Sequence, residues 1–264
     1  MSADLRLDGG ARLEAAIAVA RQHGRPALVG YVTGGFPDPD AFVDLLPGVA
    51  AEVDILEVGV PFSDPMADGV TIQRASERAL AAGTTLAGLL DGLERVGLER
   101  PVVLMSYLNP VLQMGFDAFA ARAAAVGVAG LIVPDVPWEE SEELRAALDP
   151  AGVALVQLVT PLTPPERLAR LCAASQGFVY AVTMTGTTGR AVADQRAEVG
   201  AYLDRVRATS PRPVLAGFGI RTPEDVRALG EHADGVIVGS AVVEAIERGD
   251  DAPALLRSLR GGRA

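Results

Sequence analysis

Two acidic residues, Glu57 and Asp68, are the strongest candidates for chemistry in this chain. Glu57 stands inside the apolar run Ile55–Val60, and Asp68 follows eleven residues later, across a turn rich in proline, serine, aspartate and glycine. A buried carboxylate is energetically costly because its charged form loses its water. A carboxylate within a strand and a second one on the following loop are what an acid/base enzyme requires, so both are candidate catalytic residues.

Each of these side chains also has a structural interpretation. Glu57 could form a buried ion pair with an arginine, and Asp68 could cap the helix that follows it. Tyr31 and Tyr107 could be core aromatic residues whose hydroxyl groups bond to the backbone. We expect Asp64, in the same turn as Asp68, to shape that turn rather than to take part in chemistry.

The other polar residue types limit the chemistry further. The sequence contains no lysine, so it cannot form a Schiff base with a substrate or an internal aldimine with pyridoxal phosphate. The histidines, His23 and His232, lie in polar turns without a partner at metal-ligand spacing, and Cys172 is the only cysteine. We therefore expect no metal site and no disulfide, which leaves carboxylates, tyrosines, hydroxyl groups and backbone amides.

The overall composition favours a soluble, cytoplasmic protein. A net charge of −11 and a pI of about 4.7 disfavour nucleic acid and anionic membranes as partners. A small anionic ligand remains compatible with this charge, because backbone amides can bind it locally. The N-terminus lacks the pattern of a signal peptide, and no apolar run is long enough to predict a membrane span.

Eight short apolar runs alternate with segments of helical period along the chain. The predicted strands are Ala27–Thr33, Ile55–Val60, Val102–Tyr107, Gly130–Pro134, Ala154–Thr160, Phe178–Thr183, Pro213–Phe218 and Gly235–Val238. The predicted helices are Ala41–Ala51, Val70–Ala82, Leu86–Val96, Phe116–Val126, Trp138–Leu148, Pro165–Ala174, Gly200–Thr209, Pro223–Leu229 and Ala241–Arg248. Ala11–Gln22 is an extra amphipathic helix before the first strand.

This alternation predicts an α/β fold, a (β/α)8 TIM barrel with an extra N-terminal helix. No linker or change in composition divides the chain, so we expect a single domain over residues 1–264. We expect the last residues, Leu259–Ala264, to be frayed. The segment after the first strand, Val32–Phe36, lacks the glycine fingerprint of a doubly wound sheet, which also favours the barrel.

In such a barrel, the carboxyl ends of the strands and the loops that follow them build the active site. Gly219 follows strand seven, and Gly239 and Ser240 follow strand eight next to a helix N-terminus, which predicts a phosphate site. The alternative is that both glycines are ordinary turn residues. The loop Gly186–Gly189 after strand six could close over the phosphate, with Thr188 as a hydroxyl donor, or could be a plain flexible loop.

The segment from Leu56 to Gln73, LEVGVPFSDPMADGVTIQ, resembles the signature of the tryptophan synthase alpha family. Further matches are TGGFP at 33–37, Tyr107, Asn109-Pro110, LIVPD at 131–135, GFGI at 217–220 and VGS at 238–240. The resemblance extends from about Ala11 to Gly249. It implies a TIM-barrel lyase that cleaves indole-3-glycerol phosphate to indole and glyceraldehyde 3-phosphate in tryptophan biosynthesis.

The resemblance also implies a role for each site residue. Glu57 matches the family's acid/base at indole C3 and the glycerol hydroxyl, and Asp68 matches the carboxylate that engages the indole N–H. The implied indole pocket consists of Tyr31, Met105, Tyr107, Ile132 and Tyr180, and the implied phosphate site of Gly189, Gly219, Gly239 and Ser240. Because the chain has no lysine and no expected metal, protonation of C3 must make the substrate its own electron sink.

The resemblance further implies a partner, the tryptophan synthase beta subunit, in an alpha2beta2 assembly. Asp64, Pro65 and Asn109 would lie near this contact, and pyridoxal phosphate is expected only in the beta partner, with no cofactor in this chain. Met184 and Thr187 depart from the family pattern in the strand-six loop. A stand-alone lyase that releases indole therefore remains an alternative, whereas the intact carboxylate pair disfavours a non-enzymatic activator.

Overall fold

We describe a computed structural model of residues 8–183, 192–217 and 219–261, in which residues 192–195 are described by their backbone alone. The predictions for Met184, Thr187, Thr188 and Gly189 lie outside these residues.

The described residues form a closed barrel of eight parallel strands, in which each strand pairs with the next and the last pairs with the first. The strands are β1 Ala27–Thr33, β2 Ile55–Gly59, β3 Val102–Met105, β4 Val128–Ile132, β5 Ala154–Val159, β6 Val179–Val182, β7 Val214–Gly217 and β8 Gly235–Val238. The predicted barrel is thus confirmed, and every predicted strand lies within two residues of its observed ends.

Helices surround the barrel. They are α1 Gly9–Gln22, α2 Pro39–Glu52, α3 Val70–Ala81, α4 Leu86–Val96, α5 Leu108–Met114, α6 Phe116–Ala125, α7 Glu142–Ala151, α8 Pro165–Ala174, α9 Val192–Thr209, α10 Pro223–Gly230, α11 Ser240–Arg248 and α12 Ala252–Leu259. Two of these, α5 and α12, were not predicted. The segment predicted as one helix from Trp138 instead begins with a 3-10 turn over Trp138–Glu140 before α7.

The period of two along each strand sorts the side chains into two layers. In β2, Leu56 and Val58 face outward into the layer beneath the helices, whereas Ile55 belongs to the cluster that fills the barrel. Glu57 and Gly59 are two and four residues beyond Ile55, so they lie on the same face of the strand. The strand geometry therefore directs the Glu57 side chain into the barrel.

Helix α1 closes the amino end of the barrel. Leu13 and Ile17 pack into the interior cluster, and the Arg12 guanidinium donates to the carbonyl of Gly127, which precedes β4. The N–H of Gly9 donates to the carbonyl of Gly152 before β5. With the amino end covered, a site is expected at the carboxyl ends of the strands. None of the helices described is both long and apolar enough to cross a bilayer.

Candidate active site

Glu57 is the most deeply buried acidic side chain of the site, with 1% of its surface exposed. Neither carboxylate oxygen has a hydrogen-bond partner among the residues described, so the expected alternative of an ion pair with arginine is not observed there. Burial raises the pKa of Glu57 from 4.5 to about 8, and the negative charge of Asp68 adds to this effect. At neutral pH the group is mostly protonated and can act as an acid.

Asp68 lies in the loop between β2 and α3 and is half-buried. Its Oδ2 accepts a hydrogen bond of 3.2 Å from the Tyr107 hydroxyl group. Partial burial raises the pKa of Asp68 from 3.8 to about 6, and the bond from Tyr107 opposes that rise. The N-cap of α3 is Gly69, with no side-chain capping bond, so the alternative of Asp68 as a helix cap is wrong.

Tyr107 holds the Asp68 loop over the barrel mouth. It immediately precedes α5, and its ring stacks on Phe62 with 5.0 Å between the ring centroids. The Tyr107 oxygen accepts a bond of 2.8 Å from the backbone N–H of Ala67 while its hydrogen points to Asp68. The Tyr107 hydroxyl group thus forms hydrogen bonds with two residues of the loop that it positions. Tyr107 is therefore not a core tyrosine bonded only to the backbone.

Three supporting residues were not among the predicted site residues. Gln73 also holds the Asp68 loop in place. Its Nε2 donates hydrogen bonds to the carbonyls of Pro65 and Asp68, at 3.3 and 3.0 Å. Phe62 provides the stacking surface for Tyr107. Thr33 ends β1 with a buried hydroxyl group that has no hydrogen-bond partner in the described chain. The only feature of the sequence that could have identified these three residues is their position within or beside the family signature.

Tyr31 and Tyr180 occupy related positions on β1 and β6. Tyr31 is in register with Glu57, and its hydroxyl group lies so close to Gly59 that no Cβ would fit there. The ring of Tyr180 lies equally close to Gly217 on the neighbouring strand. Burial raises the pKa of both tyrosines, and nearby carboxylates raise it further, so both are neutral hydrogen-bond donors.

Met105 and Ile132 form an apolar wall on the same inward-facing layer. They are register partners on β3 and β4, and both are buried. Met105 is also in register with Gly59, which places this wall beside the strand that carries Glu57. The structure thus brings together Tyr31, Glu57, Met105, Ile132 and Tyr180 inside the barrel, with Asp68 and Tyr107 at its mouth.

The predicted phosphate residues follow the adjacent strands β7 and β8. Gly217 pairs with Ile237, so Gly219 and Gly239 each stand two residues beyond a paired position. Gly219 has a φ of 81°, which favours glycine, and Gly239 is the N-cap of α11, whose first residue is Ser240. The first turn of α11 carries no acidic residue, so its N-terminus suits an anion.

The predicted phosphate residues lie next to the strand that carries Tyr31. A Cβ added at Gly239 would stand 3.5 Å from Tyr31, which is ordinary van der Waals contact. The Tyr31 ring therefore lies between the backbone of Gly239 and the strand of Glu57. In the parts of the chain that are described, no group of three or more histidine, cysteine or acidic residues could hold a metal ion.

The fold and the site define a TIM barrel with an acidic pair at the carboxyl ends of its strands, beside the glycines that the sequence predicts to bind phosphate. The family model described as tryptophan synthase alpha chain matches residues 17–259. The chain therefore belongs to the tryptophan synthase alpha chain family, a family of lyases that cleave indole-3-glycerol phosphate in tryptophan biosynthesis.

Individual relatives agree with this assignment. The tryptophan synthase alpha chain of Laribacter hongkongensis is 46% identical over 256 residues, which cover 95% of this chain and 97% of the relative. A chain of tryptophan synthase from M. tuberculosis, in an aminoacrylate-bound form, superposes with a TM-score of 0.86 at 38% identity, covering 95% and 98% of the two chains. The alpha subunit from Legionella pneumophila gives a TM-score of 0.85 at 35% identity, covering 95% and 97%.

Proposed function

We propose that Glu57 and Asp68 divide the proton chemistry by which this lyase cleaves indole-3-glycerol phosphate. The observation that carries the proposal is the contrast between the two carboxyl groups. Glu57 is fully buried and unpartnered in the described residues, with a pKa of about 8, whereas half-buried Asp68 has a pKa of about 6. Near pH 7 the first is mostly an acid and the second mostly an anion.

In the proposed complex the substrate lies across the barrel mouth. The phosphate binds the backbone at Gly219, Gly239 and Ser240, where the N-terminus of α11 supplies unpaired N–H groups and a favourable dipole. The indole ring packs on the wall of Met105 and Ile132. This placement puts indole C3 and the glycerol carbon bonded to it near Glu57.

The reaction then needs two proton transfers by one side chain. Neutral Glu57 gives its proton to C3 of the indole, and the ring nitrogen becomes positively charged. The Glu57 carboxylate next takes the proton of the hydroxyl group on the carbon attached to C3. As the carbon–carbon bond breaks, its electron pair returns to the ring, that carbon becomes the aldehyde of glyceraldehyde 3-phosphate, and Glu57 is protonated again.

Asp68 supports the first transfer electrostatically. Its carboxylate accepts the indole N–H and stabilises the positive charge that appears on the ring nitrogen. The Tyr107 hydroxyl group keeps one carboxylate oxygen oriented and favours its ionised form. Because the chain has no lysine, the protein supplies no covalent electron sink, and the protonated ring takes that role.

We further propose that the chain acts in the cytoplasm as a single domain over residues 1–264, needs no cofactor itself, and pairs with a tryptophan synthase beta subunit as alpha2beta2. The family assignment supports the pairing, since the similar M. tuberculosis structure described above is that of tryptophan synthase. None of the relatives described above favours the alternative of a stand-alone lyase.

The test is to measure indole and glyceraldehyde 3-phosphate released from indole-3-glycerol phosphate by the purified chain, alone and with a tryptophan synthase beta chain. Equal amounts of both products are expected, with a faster rate when the beta chain is present. Absence of both products under both conditions would overturn the proposed chemistry. Cleavage at the same rate with and without the beta chain would overturn the proposed pairing but not the proposed chemistry.

A further inference from the structure

A second cavity lies outside the proposed active site. It has a volume of about 260 Å³ and is lined by β5, α7, α8 and the segment that follows β4. Its apolar walls include Leu155 from β5, Leu144 from α7, Leu171 from α8, and Val136 and Trp138. None of the residues assigned to the proposed active site lines it, so we treat it as a separate site, the outer cavity.

Two buried polar side chains, Gln157 and Ser141, line the outer cavity. Gln157 is only 7% exposed, and its strand neighbours on the same outward face, Leu155 and Val159, are apolar. The backbone N–H of Gln157 donates to Ser175 Oγ at 2.9 Å, but its side-chain amide has no hydrogen-bond partner among the residues described. The amide lines the cavity, so a polar group that entered the cavity could pair with it and gain hydrogen bonds.

The other polar groups around the cavity already have partners. Ser141 Oγ donates to the carbonyl of Trp138 at 2.7 Å and accepts from Arg145 Nε at 3.1 Å. Arg145 also stacks over the Trp138 ring at 3.9 Å. Arg167 forms a two-point ion pair with Glu139 at 2.7 and 3.1 Å. The charges nearby are thus engaged, and the Gln157 amide is the group best placed to recognise a ligand.

We infer that the outer cavity binds a small neutral molecule with a carboxamide or lactam group on a ring. The oxygen and nitrogen of such a group match the amide of Gln157, one accepting and one donating, in a pair of hydrogen bonds. The ring packs against Leu144, Leu171 and Trp138. Asp135 at the cavity edge disfavours an anion, and the volume, just below the roughly 300–1,000 Å³ of drug-sized sites, suits a fragment-sized ligand.

Trp138 provides a direct readout, because it is the only tryptophan in the chain. Benzamide is the probe, titrated into the purified full chain while Trp138 fluorescence and the Trp138 indole N–H resonance are followed. A saturable change with a Kd of about 1 mM or tighter is expected, as for a good ligand of this size. No saturable change up to about 20 mM, well above that Kd, would overturn the inference.

Variants and related probes test the role of the amide. Gln157→Leu keeps a similar volume but removes the amide, so the Kd for benzamide should rise at least about tenfold. Gln22→Leu, an exposed glutamine on α1, is the matched control and should bind like the unmodified chain. Equal affinity in Gln157→Leu would show that benzamide binds elsewhere and overturn the inference.

A measurement on the unmodified chain makes the test independent of variant folding. Benzoate shares the ring of benzamide but carries a negative charge. It should bind at least about tenfold more weakly than benzamide, because its charged group cannot leave water without a partner and Asp135 repels it. An affinity equal to that of benzamide would contradict recognition by the Gln157 amide.

Discussion

The Tyr107 hydroxyl group donates a hydrogen bond of 3.2 Å to Oδ2 of Asp68 and accepts one of 2.8 Å from the Ala67 N–H. One side chain thus fixes both the position of the Asp68 loop and the orientation of its carboxylate. The bond also favours the ionised form of Asp68 against the effect of burial. Tyr107 therefore acts through Asp68 as a positioning residue in our account.

Tyr107→Phe tests this relationship. The change removes both hydrogen bonds but keeps the ring that stacks on Phe62, so kcat/KM should fall roughly 5- to 30-fold, the equivalent of ~1–2 kcal/mol. The pKa of Asp68 should rise above its present value of about 6, because the bond that lowers it is lost. The acid limb of the pH profile should therefore move to higher pH.

Tyr202→Phe is the matched control for that variant. The Tyr202 hydroxyl group donates to the carbonyl of Val159 at 2.9 Å in the outer layer, away from the carboxylate pair. Its loss should leave the acid limb in place. An acid limb that is identical in Tyr107→Phe and the unmodified chain would show that Tyr107 does not act through Asp68.

The pH dependence of kcat/KM should be bell-shaped. Asp68 must be ionised to stabilise the charged ring, so activity should fall as the pH drops below about 6. Glu57 must be protonated to donate to C3, so activity should also fall as the pH rises above about 8. A steady-state profile from pH 5 to 9.5 measures both limbs. A rate that stays constant from pH 7 to 9.5 would contradict Glu57 as the acid.

Asp68→Asn removes the negative charge of the side chain while keeping its shape. The asparagine oxygen can still accept from Tyr107 and from the indole N–H, but it cannot neutralise the positive ring. Turnover should fall about 100-fold or more, while phosphate affinity changes little, since the anion site lies on β7 and β8. Asp64→Asn is the control, because Asp64 is exposed in the same loop and should leave turnover unchanged. Comparable losses in both variants would point to a loop effect.

Gly59→Ala tests the placement of Tyr31. An alanine Cβ would overlap the Tyr31 hydroxyl group and ring, so the variant should lose roughly 1–3 kcal/mol of stability as well as turnover. Denaturant unfolding measures the first effect and indole release the second. Gly69→Ala is the stability control, because its Cβ would meet open space at an ordinary φ of −74°. A fully stable and active Gly59→Ala would contradict the close packing of Tyr31.

Much of this site follows from local sequence rules. The strand period of two places Glu57 on the inward face with Ile55 and Gly59, and the order of the strands places the glycines after β7 and β8 side by side. The barrel itself follows from eight alternating strand and helix signals. These features depend on the spacing of residues along the chain, which can be read directly from the sequence.

Other features depend on contacts that spacing does not reveal. The Asp68 loop is fixed by Tyr107, but Tyr107 reaches it only because α5 begins at Leu108, and that short helix was not predicted. Gln73 bonds to carbonyls five and eight residues earlier, a contact set by the path of the turn. The outer cavity around Gln157 arises from the way the consecutive elements α7, β5 and α8 pack with the segment after β4, which their spacing does not state.

The central claim is that Glu57 donates the proton that makes the indole ring its own electron sink. The most direct test is single-turnover indole release by Glu57→Gln at pH 7, together with its affinity for indole-3-glycerol phosphate. Glutamine keeps the shape but cannot transfer a proton, so the rate should fall about 10³-fold or more while the substrate still binds. A variant that binds substrate and retains more than about a tenth of the rate would contradict the account.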